Sequence, residues 1–82
     1  MRNSMYAVEQ PPDPAVLSEF VRRDVPVWLT TTGAIGHFDI PMQVTKQKGP
    51  GTFSGTVPLG SHEERCQLVY TNQGAQLTVG AY

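Results

Sequence analysis

Charge is scarce in this chain and nearly balanced. Six Lys and Arg stand against seven Asp and Glu, a formal net charge of −1, so no long-range field draws the molecule to nucleic acid or to an acidic membrane. Cysteine is reduced to Cys66 alone, which excludes an internal disulfide and the secreted disulfide scaffold and fits a reducing cytoplasm. No stretch approaches the roughly 18 apolar residues of a membrane span. Residues Met1 to Glu9 also lack the apolar run of a secretion signal. A cytoplasmic protein without a membrane partner is the resulting expectation. Gly33-Ala34-Ile35-Gly36 lacks the third glycine and the following helix that would seat a phosphate. It reads as a turn, and no cofactor is expected. Neither a solenoid-period repeat nor a low-complexity tract interrupts the chain.

What is present suffices for one core and no more, because 82 residues cannot divide into two independently stable domains. Residues 1–12 end in Gln10-Pro11-Pro12, where consecutive prolines remove amide donors and hold the backbone extended. They read as an extended N-terminal arm ahead of a single domain over 13–82. Asp13 followed by Pro14 is a helix start, with the carboxylate accepting from first-turn amides and proline tolerated at the first helical position. Val16, Leu17, Phe20 and Val21 recur at helical steps, opposite Ser18, Glu19, Arg22 and Arg23. A helix of about three turns is expected, ending on two arginines that complement its carboxyl terminus. Pro26 forces its end.

From there the period shifts to two, and β-branched and aromatic residues dominate. Val25, Val27 and Leu29 alternate in a first strand that Thr31-Thr32-Gly33-Ala34 would end as a turn. Phe38, Ile40, Met42 and Val44 share one face of the next strand, with His37, Asp39, Gln43 and Thr45 on the other. Pro41 cannot donate to a ladder and points to an edge strand or a bulge. Lys46-Gln47-Lys48-Gly49-Pro50-Gly51 must turn. Phe53, Gly55, Val57 and Leu59 then alternate in a third strand, Cys66, Leu68 and Tyr70 in a fourth, and Ala75, Leu77, Val79 and Ala81 in a fifth. The expected fold is α+β and mostly antiparallel, with one N-terminal helix packed on a five-stranded curved sheet or a small open barrel.

Leu17 through Gly33, running Leu-Ser-Glu-Phe-Val-Arg-Arg-Asp-Val-Pro-Val-Trp-Leu-Thr-Thr-Thr-Gly, resembles the helix-to-first-strand entry of the bacterial Sm-like RNA chaperone Hfq. One helix before five strands is also the order of that fold. The resemblance implies an Sm-like RNA-binding protein as an alternative function. The family's late Tyr-Lys-His uridine-contacting motif has no counterpart in this chain.

Several residues carry possible chemistry. His37 and Asp39 share a strand face, so the acid could orient the imidazole as a general base, and a small enzyme built on this pair is a further alternative. Same-face neighbours lie about 7 Å apart, beyond direct hydrogen-bond reach without a rotamer change or a turn. His62 and Cys66 supply half of a zinc site, yet no second Cys or paired His stands at finger spacing. The plainer reading there is a solvated loop beside a buried, inert thiol. Lys46 and Lys48 could bring a basic hairpin tip to a phosphate backbone or serve only solubility. Trp28 either packs beneath the helix or stands exposed as a binding anchor. With no complete catalytic constellation, the leading expectation is a non-catalytic interaction protein. It would act through a sheet face or edge on a protein partner or on itself, most simply as a two-fold dimer.

Overall fold

Apolar residues alternating with polar ones need a partner strand on each side and a core on one face, and here both needs are met by closure. In the computed structural model, which describes residues 4–33 and 36–80, the chain forms β1 (Ser4–Glu9), α1 (Pro14–Phe20) and β2 (Val27–Gly33), followed by β3 (Gly36–Gly49), β4 (Thr52–Leu59), β5 (His62–Thr71) and β6 (Gly74–Val79). The strands make a closed antiparallel barrel in sequence order. The result is a mostly antiparallel β protein with one short helix. It differs from the expected five-stranded sheet or open barrel by one strand and by closure.

The additional strand comes from the segment read as an arm. Residues 4–9 are extended but paired, from Ser4↔Val79 to Val8↔Ala75 against β6 and from Ala7↔Thr32 to Glu9↔Thr30 against β2. Val8 is the only fully buried residue of β1, so apolar alternation is nearly silent there. What recruits the segment is two neighbouring strands whose outward N–H and C=O groups would otherwise lack partners. The expected helix followed by five strands is therefore present with β1 added in front.

Ile40, Met42 and Val44 face inward as their spacing requires, together with Phe53, Val57, Cys66, Leu68, Ala75, Leu77 and Val79. On β2, Val27, Leu29 and Thr31 are the inward residues. The expected turn at Thr31–Gly33 is strand instead, and its continuation at 34–35 lies outside the described residues, as does Ala81. Among the described residues Thr31 is the one buried polar residue, and its Oγ1 donates to the Phe38 carbonyl at 3.0 Å. That bond removes the desolvation cost of the hydroxyl. Tyr6 and Phe38 meet edge to face, 5.5 Å between centroids, against the same core.

α1 connects β1 to β2. Asp13 Oδ1 accepts from the Ala15 amide at 2.8 Å, with Pro14 in the first turn, as the sequence predicts. The helix ends at Phe20, however, after seven residues and short of the arginines. Arg22 and Arg23 bond instead to carbonyls three residues back, at 3.2 and 3.1 Å, a tightening into 3₁₀ turns. A helix this short is unstable alone, so contact with the barrel sets its length. Leu17 is buried in the core and Phe20 and Val21 pack against it, whereas Val25 is exposed. Ser18 Oγ also donates to Gln47 Oε1 of β3 at 2.8 Å. No helix among the described residues is long and apolar enough to cross a membrane.

β3 and β4 slip past each other twice. Between Val44↔Gly55 and Lys46↔Ser54, β3 carries an extra residue, Thr45; between Gln47↔Phe53 and Gly49↔Thr52 it carries another, Lys48. Each is a β-bulge that bends the long strand over the barrel. Gly55 makes the first one possible, because a Cβ there would lie 1.9 Å from the Gln43 carbonyl oxygen. β3 pairs with β4 only from Gln43 onward, so residues 36–42 have a ladder on the β2 side alone. Pro41 falls in this one-sided stretch, which is the edge setting its missing donor predicts.

Candidate binding face

Once β1 is in place, the outward positions of three strands come into register. Trp28, Thr30 and Thr32 of β2 stand opposite Pro41, Asp39 and His37 of β3, and Thr30 stands opposite Glu9 of β1. Short hydroxyl side chains between longer charged ones allow cross-strand bonding. Thr30 Oγ1 donates to Asp39 Oδ1 at 2.9 Å. Thr32 Oγ1 donates to Glu9 Oε2, which also meets His37 Nδ1. The Thr32 hydroxyl acting first, and the His37 ring beside it, hold the Glu9 carboxyl below the usual carboxylate range.

His37 and Asp39 are therefore not brought together. Each is bound across to its own threonine on β2, and the acid that reaches His37 is Glu9. The geometry differs from a nucleophile–base–acid relay, in which acid and nucleophile occupy opposite ring nitrogens. Here Glu9 and Thr32 both lie at Nδ1, with Thr32 3.3 Å from it, and the threonine proton goes to the carboxylate. Side-chain exposures of 69% for His37 and 43% for Glu9 leave the group in water. A solvated hydrogen-bonded cluster of this kind orders a surface without activating a nucleophile.

Trp28 is 65% exposed and does not pack beneath the helix. Beside it is a cleft of about 210 Å³ lined by Glu9, Gln10, Pro12 and Thr30, with Val8 and Leu29 at its floor. Gln10 has φ 46°, a left-handed conformation that costs a non-glycine residue roughly 1–2 kcal/mol. It redirects the chain out of β1 and around the cleft. The Tyr70 hydroxyl holds the next stretch by donating to the Pro12 carbonyl.

The other candidates are dispersed. Cys66 is fully buried, and burial pushes its thiol up to about 12, so it remains protonated and inert at neutral pH. His62 is exposed and bonds Glu64 Oε1 at 2.9 Å through Nε2. The two halves of the imagined zinc site are thus on opposite sides of the solvent boundary. Among the described residues no group of three His, Cys, Asp or Glu is placed to hold a metal. Lys46 and Lys48 are exposed on β3 beside Arg65 of β5. Glu9 and Gln10 were missed by sequence reasoning, because they needed β1 to be recognised as a strand, whereas the period-two spacing of Trp28, Thr30 and Thr32 already places those three on one face. The chain matches no family model, no curated protein and no solved structure.

Proposed function

We propose that the protein is a non-catalytic binding module that takes a polypeptide, either a second copy of itself or another protein, on the outer face of β1–β2–β3. The carrying observation is Trp28, the chain's single tryptophan, 65% exposed on a rigid strand beside a cleft. Tryptophan is the side chain whose desolvation contributes most at interfaces, and a strand presents it without an ordering cost. Glu9 and Asp39 stand on either side of Thr30 in the next outward row, already held by Thr32 and Thr30, and favour a partner segment carrying a basic residue. A second copy offers such residues in Lys46, Lys48 and Arg65. Barrel closure pairs most of the strand edges, so the face, and the one-sided stretch of β3 over residues 36–42, are the surfaces on which this reading depends.

Light scattering after size exclusion, read together with tryptophan emission, tests the self-associating form. Mass should rise with concentration while the emission shifts to the blue, and Trp28→Ser should keep a single-chain mass at every concentration. A photo-crosslinker in place of Trp28 tests the general form in extract. A single-chain mass at all concentrations, together with no crosslinked adduct, rejects the proposal.

A further inference from the structure

On the neighbouring wall of the barrel the two bulges of β3 produce a different surface. Thr45, Lys46 and Lys48 come from β3, Ser54 and Thr56 from β4 and Arg65 from β5, and together with Gly55 they line a depression of about 320 Å³. Lys46 is opposite Ser54, and Arg65 is opposite Thr56. With strands about 4.8 Å apart and a stagger of two residues along β4, the two cations stand roughly 12 Å apart at their Cα atoms on either side of it, and their long side chains can close on one small anion between them. We propose that this depression is a binding site for a single phosphate group, free or carried by a small phosphomonoester.

Three features support the assignment. The lining contains three cations and no carboxylate. Both ion pairs among the described residues are made by histidines elsewhere, so Lys46, Lys48 and Arg65 remain uncompensated. The third feature is Ser54, whose Oγ is shielded from solvent and has no hydrogen-bond partner. A buried hydroxyl without a partner is uncommon and calls for an acceptor; rotation of Ser54 about χ1 toward the depression would give it a phosphate oxygen held between Lys46 and Arg65, and each resulting bond is charge-assisted. The Arg22 and Arg23 depression offers no such site, because Glu19 lines it too. A nucleic-acid strand fits less well. The lining has no aromatic side chain on which a base could stack, and the chain's net charge of −1 provides no wider attraction for a polyanion.

Amide chemical-shift titrations with inorganic phosphate, phenyl phosphate and a single-stranded oligonucleotide test the site. Phosphate should give saturable shifts confined to residues 45–48, 54–56 and 65, while chloride at equal ionic strength gives none. Tighter binding of phenyl phosphate identifies an esterified ligand, and equal or weaker binding identifies the free ion; both support the site. Ser54→Ala removes a hydroxyl that has no partner in the free protein, so stability should hold or rise while phosphate affinity falls about tenfold. Lys46→Gln with Arg65→Gln should abolish binding and leave the rest of the spectrum in place. The proposal is overturned by chloride reproducing the shifts, by Ser54→Ala binding phosphate as tightly as the parent, or by the oligonucleotide binding tightly with shifts across the whole wall.

Discussion

Substituting Gly55 by alanine would test whether the β3 bulge is as tightly determined as the geometry implies. The added Cβ would stand 1.9 Å from the Gln43 carbonyl oxygen, 2.9 Å from its carbon and 3.1 Å from Val44 Cα. Carbon and oxygen meet without repulsion at about 3.3 Å, so β3 and β4 would have to separate by more than an ångström. All three obstacles are backbone, and rotamer changes cannot relieve them. Separation breaks the ladder at Gln43↔Thr56 and Val44↔Gly55 and loosens Val44, Phe53 and Val57, each no more than 1% exposed. Lost ladder bonds of about 1 kcal/mol each, added to core strain of 1–3 kcal/mol, give a cost of about 3–5 kcal/mol. A chain of 82 residues has roughly 4–12 kcal/mol in total, so Gly55→Ala should be marginal or unfolded. Gly49→Ala is the control, since a Cβ there meets nothing within 4 Å, and it should remain within about 0.5 kcal/mol of the parent. Urea unfolding followed by circular dichroism measures both. A Gly55→Ala protein within about 1 kcal/mol of the parent would refute the reasoning.

The two other predictions concern pH. Burial raises both Cys66 and Tyr70 to about 12, with Asp13 adding to the effect on Tyr70. The folded state therefore keeps protons that the unfolded chain gives up from about pH 9. Stability should fall across pH 9–12, with Cys66 contributing up to about 1.4 kcal/mol per pH unit. Urea midpoints at successive pH values give the slope, which Cys66→Ala should reduce; an unchanged slope contradicts the assignment. Glu9 has the opposite sign. Its lowered folded value means that its contribution is complete above the unfolded value near 4.5 and is lost as pH falls through the folded one. Glu9→Gln should flatten the acid side of the same curve, and an acid limb as steep as the parent's would show that the carboxylate is not stabilised by Thr32 and His37.

The sequence is legible wherever one residue's neighbours determine its setting. Phe38, Ile40, Met42 and Val44 alternate strictly, and their strand is inward at those positions. Asp13-Pro14 states a helix start in two residues, and it is found there. The helix end is less legible, because Val21, Arg22 and Arg23 suit a helix locally while the packing that maintains one stops at the barrel rim. β1 is hardest to read. With Val8 as its only fully buried residue, followed by Gln10-Pro11-Pro12, nothing local distinguishes it from an arm, and its reason for being a strand is the unpaired edges of β2 and β6, more than 20 residues away in sequence. The same remoteness concealed the candidate face. His37 and Asp39 belong to one strand and invite pairing with each other, yet neighbours across a sheet are closer than neighbours along a strand face. Each side chain thus finds a threonine on β2. The carboxylate that reaches His37 comes from β1, so Glu9 could not be placed in the site by any reading that left its segment outside the sheet. Closure of the barrel and assembly of the Trp28 face are consequently one event: β1 docks, Glu9 meets Thr32 and His37, and Gln10 turns the chain to complete the cleft.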